Sequence, residues 1–531
     1  MDPERIEQLR QPEVFPERPD HVEIRQTHLS VVCLVGDAAY KFKKSIRLPF
    51  VDFSSLERRR FFCGEEVRLN QRLCPDVYQG VVALRQLQGG GLAIGPDSPE
   101  EIPLDVAVKM RRLPENRMLD QCLELGQVSR GEIRGVAETM VAFHAMTNRG
   151  DIIAKWGNPK KLEAFALANF AEIRAQVVNV FPSDLLDALE TRTRTDFERW
   201  MPVLRRRVDE GRVVDGHGDL HARNICLTDP LTMYDCIEFS PEFRCGDVAT
   251  EHAFLVMDLR YRGHPELAET YLDEVIREGG DEEIRELMPL LVRYRAMVRA
   301  KVSAMASVEP ELETLARSEA VETARNYLRL SAASAVEEDG PWWLMFCGLP
   351  GAGKSSIASR LARSSGGSWR VFSSDLIRKE LAGADPTEAL PAEFYAPEFS
   401  QRTYAELLRQ AGLATAAGGR VVLLDANFRQ RDERAAAVRA ASEAGVRLAL
   451  LWVDSDEDTI VGRLHHRAGD PQSVSDATHA VYRKLKEQFK PPSPEECDLL
   501  LRLPGSALAD IDADEALAKL IETNGSGDAA I

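Results

Sequence analysis

Gly348-Leu-Pro-Gly351-Ala352-Gly353-Lys354-Ser355 fits G-x-x-x-x-G-K-[ST] at every fixed position, and Ser356 follows. Glycines at these places let backbone N–H groups turn inward around phosphate oxygens, and a helix beginning at the lysine adds partial positive charge. The expected contacts to a bound ATP come from Gly348, Gly351, Ala352, Gly353, Lys354, Ser355 and Ser356, with Lys354 on the outer phosphates and the Ser355 hydroxyl on Mg2+. Asp425 closes the apolar run Leu423-Leu424-Asp425 and is expected near the metal. Asp375, in Ser373-Ser374-Asp375-Leu-Ile-Arg378, has the chemistry to accept a proton from a hydroxyl, and Arg378, three residues on, can hold an anionic group. Asp375 also suits a helix N-cap, which leaves both roles open. Arg463 and Arg467, four apart in Gly-Arg-Leu-His-His-Arg, share a helix face and could neutralise a transferring phosphoryl group or simply face solvent.

A second set lies earlier in the chain. His217-Gly-Asp219-Leu-His-Ala-Arg-Asn224 has the form H-x-D-x-x-x-x-N, and eleven residues beyond the asparagine comes Asp235, with Glu238 close behind. In this pattern the first aspartate orients and deprotonates an acceptor hydroxyl, while the asparagine and the later aspartate hold Mg2+ on ATP. A cation must also meet the phosphates. Lys41 and Lys43 alternate on one face of a predicted strand, and Glu66 lies on the otherwise apolar helix face of Phe62, Leu69 and Leu73. A carboxylate on such a face needs a partner, and a strand lysine is the natural one. Lys41 and Lys43 both remain candidates. His144, His221 and His252 lack metal-ligand spacing and read as satisfied helix or loop histidines.

These residues need elements to position them. Residues 21–35 alternate apolar and polar, Gly36-Asp37 can turn, and 38–46 alternates again, which predicts a hairpin. Residues 54–73 predict a helix with Ser54 and Glu57 as its capping box. Further strands flank Gly89-Gly90-Gly91 and cover 105–113; from 117 to 330 the periodicity is helical, apart from a β-like island at 213–239. From Trp342 onward, strands at 342–347, 369–372, 420–424, 447–453 and 498–503 alternate with helices, the pattern of a parallel sheet covered on both faces. Ser331–Pro341, small and acidic residues ending in Gly-Pro, reads as a linker. The expected organisation is 1–333, a linker at 334–341, a second domain at 342–522 and a flexible tail at 523–531.

Residues 342–490 resemble the P-loop kinases related to chloramphenicol phosphotransferases, polynucleotide kinases and zeta toxins. The motifs are GLPGAGKSS, SSDLIRKEL, the Tyr395 to Tyr404 stretch, LLDANFRQRDER, GRLHHR and Ser475-Asp-Ala. The resemblance implies Asp375 as base, Arg378 on the acceptor, and Arg463 or Arg467 as lid; the usual D-A-T-F reads Asp425-Ala-Asn-Phe here. Residues 20–330 resemble the aminoglycoside-phosphotransferase-like branch of the protein-kinase-like fold, whose habits include HGDLHxxN and D-x-x-E. Bacterial proteins fusing two such modules carry Thr27-His28-Leu-Ser30 in the nucleotide loop, where G-x-G-x-x-G is absent from this chain. The resemblance implies an α+β bilobal domain followed by an α/β P-loop domain, and marks Asp247 as similar to an aspartate bracing the catalytic loop.

Composition narrows the partners. A formal net charge of −18 disfavours a general nucleic-acid binder and leaves a small-molecule hydroxyl compound as the expected acceptor. Nine scattered cysteines with no CxxC pair read as free thiols rather than a zinc site or disulfides. No apolar stretch approaches the roughly 18–20 residues of a membrane span, and residues 1–20 lack a signal pattern, so a cytoplasmic chain with ATP and Mg2+ as cofactors is expected. Rival readings are a nucleotide-sensing protein with one degenerate module, a simple ATPase, and a nucleic-acid-end or toxin-like kinase using Arg429, Arg431 and Arg434. Oligomeric state is not readable.

Overall fold

A computed structural model describes residues 3–48, 51–98, 102–177, 179–308, 313–467, 474–506 and 508–525. The chain forms two compact units. The first comprises Met1–Leu162, Met201–Arg262 and Glu266–Met288; the second comprises Glu163–Trp200, Gly263–Pro265 and Pro289–Ile531.

Six antiparallel strands make the sheet of the first unit, in the order Val22–Gln26, Ser30–Val35, Ala38–Lys43, Asp105–Arg111, Tyr78–Gln86, Leu92–Pro96. Val35 pairs with Ala38, so Gly36-Asp37 is the expected two-residue turn. The stretch 21–35 is two strands rather than one. They are separated by a turn in which the Ser30 N–H donates to the Thr27 hydroxyl at 3.0 Å, a local bond that competes with the sheet ladder. One sheet face buries Val31, Cys33, Tyr40 and Phe42; the other packs Val106, Val108 and Tyr78 against the helix Leu56–Asn70. That helix begins one residue later than Ser54 and Glu57 suggest. Ser55 caps it by accepting from the Arg58 N–H, while Ser54 bonds Asp52. Helices, among them Arg130–Met146 and Val248–Tyr261, make up most of the rest of this unit, with the short strands Val213–Asp215, Ile225–Cys226 and Thr232–Met233 between them. The first unit thus joins a strand-rich part to a helix-rich part.

The second unit contains a five-stranded, all-parallel sheet in the order Arg370–Ser373, Val421–Asp425, Trp342–Cys347, Arg447–Val453, Leu499–Leu503. Along the central strand Trp342, Leu344 and Phe346 enter one core, and Trp343, Met345 and Cys347 enter the other. Burial on both faces is what a sheet sandwiched by helices requires.

The expected linker is a correction. The helix Thr314–Asp339 runs through residues 334–339, and Ser331 to Val336 are all buried. Small residues there let the helix pack closely: Ala332, Ala333 and Val336 share a core with Trp342, Leu344, Leu361 and Leu517. The acidic residues are ion-pair partners. Arg192 reaches Glu338 at 2.9 Å and Asp339 at 2.6 Å, and Arg293 reaches Glu338 at 2.8 Å. The boundary at 333/342 therefore does not separate the units. Residues 523–525, expected in the tail, end the helix Ala509–Gly525; 526–531 lie outside the described residues. Among the described residues, no helix is long and apolar enough to cross a membrane.

Leu328, in the same core, tests this packing. Leu328→Ala should destabilise the second unit by about 2–5 kcal/mol in urea unfolding. A fragment starting at Pro341 should bind the dye ANS and unfold without cooperativity; a cooperative, dye-free fragment would show that the helical layer is dispensable.

Candidate active sites

In the first unit the loop His217–Asn224 sits between Val213–Asp215 and Ile225–Cys226. Gly218 has φ 87°, and a Cβ there would lie 3.0 Å from the Arg244 Cα and the Phe243 carbonyl oxygen, so the loop passes where a side chain cannot. His217 is buried and its pKa is pushed down by burial. The Tyr234 carbonyl lies 2.9 Å from its Nε2 and the Asp219 N–H points at its Nδ1 at 3.3 Å, which together select the neutral Nε2–H tautomer. The Asn224 side-chain N–H group donates to the Asp219 carbonyl at 2.9 Å and to Asp219 Oδ2 at 3.2 Å, leaving its amide oxygen for a cation. The Tyr234 N–H donates to the Asn224 carbonyl, which draws Asp235 alongside.

Both candidate lysines meet Glu66. Lys41 Nζ is 2.8 Å from Glu66 and 2.5 Å from Asp235; Lys43 Nζ is 2.6 Å from Glu66 and pairs with Glu238. Lys43 is 1% exposed and Lys41 15%, so Lys41 is the one with an open side for phosphate. Burial opposes the Lys41 charge, but Asp235 and Glu66 hold its pKa well above the usual lysine range. Burial likewise opposes the Glu66 charge, and the two lysines bring its pKa below the usual carboxylate range. Glu238 goes the other way, its pKa raised by burial.

The His217–Asn224 loop is braced by residues the sequence did not single out. Glu251 Oε1 accepts from the N–H groups of His217 and Gly218, each at 2.6 Å, and Asp258 Oδ2 accepts from the Ala222 N–H at 2.8 Å. Seven apart on the helix Val248–Tyr261, these carboxylates fasten the loop on both sides of Asp219. Their signal was two acids on one face of an otherwise apolar helix. Asp247 instead caps that helix through the Ala249 N–H and pairs with Arg207 at 2.7 Å, so its bond is to the helix start and not to the loop. His144 pairs with Glu251 at 2.5 Å and His252 with the Tyr271 hydroxyl at 2.8 Å; His221 lies 3.3 Å from Asp219 Oδ2.

In the second unit the phosphate loop joins Trp342–Cys347 to the helix Lys354–Ser364. Gly348, Gly351 and Gly353 all have positive φ, and a Cβ on Gly348 would lie 2.4 Å from the Val453 carbonyl oxygen. Lys354 Nζ donates to its own loop at the Leu349 carbonyl, 2.9 Å away. Burial lowers its pKa, opposed by the nearby Asp425 and Asp375. The buried Asp425 carboxyl is pushed up by burial, against a hydrogen bond from Ser355. Ser373 pairs in register with Asp425, which sets Asp375, in the first turn of the next helix, beside the same strand ends. The helix N-cap is Ser373, so Asp375 is not the cap.

A cavity of about 270 Å3 opens beside the loop, lined by Gly351, Gly353, Ser356, Arg463, Arg467 and Asp512. Arg463 corrects an expectation. Its guanidinium donates to the carbonyls of Ala352 at 2.9 Å, Gly505 at 3.0 Å and Ser506 at 2.5 Å, making it a strut that fixes the loop wall rather than a free lid arginine. Arg467 faces Lys354 and Asp425 electrostatically. Arg378 is largely committed as well: it donates to the Phe394 carbonyl at 2.8 Å and stacks 4.9 Å from the Tyr395 ring, whose hydroxyl bonds Asp476. Its guanidinium thus shapes the segment before the helix Pro397–Ala416.

Both donor sets fit a hard divalent cation: Asn224 and Asp235 in one unit, Ser355 and Asp425 in the other, all oxygen ligands.

Residues 344–492 match the family model described as an AAA domain. The matched stretch spans the glycine-rich loop, Asp375, Asp425, Arg467 and Asp476. Along most of its length the chain is similar to uncharacterized proteins of Mycobacterium tuberculosis and Mycobacterium bovis, 29% identical over 469 residues, which is 87% of this chain and 89% of each relative. Among solved structures, a gluconokinase from Sinorhizobium meliloti 1021 aligns with TM-score 0.25 and 21% identity, over 35% of this chain and 95% of that one. A choline/ethanolamine kinase family protein from Mesorhizobium loti aligns with TM-score 0.37 and 11% identity, over 61% and 94%.

Two predictions follow from the brace and the paired lysines. The Glu251 carboxyl, despite burial that would raise its pKa, is held at about 2 by His144, His217 and the Gly218 N–H, against an ordinary 4.5. Its stabilising contribution is therefore complete above pH 4.5 and fades as pH falls toward 2, and is on the order of 3 kcal/mol. Urea midpoints measured across that range should converge for wild type and Glu251→Gln as the medium is acidified; a constant gap contradicts the assignment. Lys43→Met leaves two buried carboxylates with one cation fewer and should cost about 3–5 kcal/mol in stability, whereas Lys41→Met should chiefly abolish nucleotide binding to the first unit, measured by calorimetry in a Lys354→Ala background.

Proposed function

We propose that this protein is a Mg2+- and ATP-dependent phosphotransferase with one site in each unit, each passing the γ-phosphoryl group to a hydroxyl of a small molecule. The observation that carries the reading is a threefold coincidence that occurs twice. A lysine, a pair of oxygen donors and a separate carboxylate come together in each unit: Lys41, Asn224 with Asp235, and Asp219; then Lys354, Ser355 with Asp425, and Asp375.

In each site the acceptor oxygen attacks the γ-phosphorus, the bond to the β,γ-bridging oxygen breaks, ADP departs, and the acceptor proton passes to the aspartate. Bound Mg2+ supplies charge neutralisation on the phosphates. Asp219 is held ready because Asn224, Glu251 and Asp258 fix its loop. Lys354 would exchange the Leu349 carbonyl for phosphate oxygens, whose negative charge favours its ammonium form. Asp375 lies in the first turn of the helix Ser374–Ala382, beside the strand end that carries Asp425.

The nucleic-acid-end reading loses one of the three arginines of its basic cluster to the interior. Arg434 is buried and pairs with Glu496 at 2.7 Å, and Arg429 donates to Gln488 at 2.7 Å. A nucleotide-sensing role for the first unit keeps one motive, the turn at Thr27–Ser30 that has no glycine to approach phosphates.

Small-molecule extracts incubated with γ-labelled ATP test the proposal. Each product formed by the wild type should fall at least about a hundredfold in either Asp219→Asn or Asp375→Asn, consistent with loss of a general base. AMP-PNP stoichiometry should drop from two to one in Lys354→Ala. Labelled products that persist in both aspartate variants would sink the two-site reading; signal lost only in Asp375→Asn would restrict catalysis to the second unit.

A further inference from the structure

Asp235 has φ 63°, a left-handed backbone that a non-glycine residue adopts only when its surroundings impose it. Two side chains impose it. The Asp235 N–H donates to the Tyr78 hydroxyl at 3.1 Å, and the next amide, Cys236 N–H, donates to Asn70 Oδ1 at 2.9 Å. Both acceptors are buried, each 1% exposed. Each is itself fixed. Asn70 donates to the Glu66 carbonyl at 2.8 Å, one helical turn back, and Gln71 donates to the Tyr78 carbonyl at 2.9 Å. A bulge between Tyr78 and Gly80, where the register against Met110 and Lys109 slips, shifts the side-chain alternation at Tyr78.

We infer that Tyr78 and Asn70 are positioning residues for the metal site of the first unit, clamping the two amides that flank the Asp235 side chain so that its carboxylate faces the triphosphate-bound cation. The inference rests on the proposed function of that unit. Consecutive amides captured by one strand residue and one helix residue leave Asp235 a single backbone conformation. Because Asn70 also bonds the backbone of Glu66, the same clamp couples the carboxylate to the ion pair that orients Lys41. Losing the Tyr78 hydroxyl orphans a partly buried N–H and frees the peptide to rotate out of the left-handed region. The carboxylate then leaves the cation, while the fold around it keeps its packing.

The test uses the full chain carrying Lys354→Ala, so that the second unit does not take up nucleotide. Calorimetry measures AMP-PNP binding in EDTA and across a Mg2+ titration, and hydrogen exchange follows the peptide containing Asp235 and Cys236. Tyr78→Phe and Asn70→Leu should raise the Mg2+ concentration for half-maximal enhancement about tenfold, leave binding in EDTA within about twofold, and speed exchange of the two amides. Tyr78→Phe removes only one oxygen, so it keeps the test open should Asn70→Leu fold poorly. Equal weakening with and without Mg2+ would reduce both residues to general packing, and an unchanged Mg2+ midpoint would overturn the clamp. If the Lys354→Ala parent binds no AMP-PNP at all, the nucleotide reading of the first unit falls first, and the inference with it.

Discussion

A carboxylate with no solvent exposure cannot stay ionised alone, and in the first unit Glu66 is that group. Lys41 and Lys43 answer it from one strand face, and Asp235 and Glu238 answer the lysines from the other side. Five charges thus fix the distance between the helix Leu56–Asn70, the strand Ala38–Lys43 and the segment after the catalytic loop. Removing a member leaves an uncompensated charge, which is costlier than the net worth of any single pair.

The second unit meets the same constraint with backbone rather than carboxylates. Its loop gathers N–H groups through glycines at positive φ, and Lys354 is lodged where burial works against its charge. Asp425 beside it is uncomfortable in the opposite sense, pushed toward its neutral form. A polyanion with a divalent cation would answer both at once: the lysine would gain a counter-charge and the carboxylate a metal's field. Arg463, fixed to loop carbonyls, holds the wall of this loop.

What the sequence made legible were short motifs whose chemistry is local. The phosphate loop, the H-x-D-x-x-x-x-N segment and the five parallel strands could be read because each depends on spacing within a few residues or on period. Glu66 was found because a charge on an apolar face demands an explanation. The misreadings share a cause. Ser331–Pro341 has the composition of a linker, yet its alanines and serines are small because the helix packs closely, and its acids are partners of arginines far away in sequence. Asp247 stood near a familiar pattern while Glu251, four residues on, holds the loop. Asn70 and Tyr78 carried no signal at all, since what they bind is backbone, and backbone leaves no trace in residue type.

The net charge of −18 says little about this interior, because several of the basic residues lie there rather than on the surface. Arg207, Arg293, Arg329 and Arg434 are almost fully enclosed, and each is matched by acids from other segments: Asp247 and Asp281, Asp196 and Glu338, Asp514, and Glu496. A buried guanidinium must direct its donors in a fixed plane, so each one dictates which segments meet and at what angle. Apolar contacts would hold the same helices with less demand on register. The arginines thus act less as a source of stability than as a specification, and in this chain they specify the layers on which both phosphate sites stand.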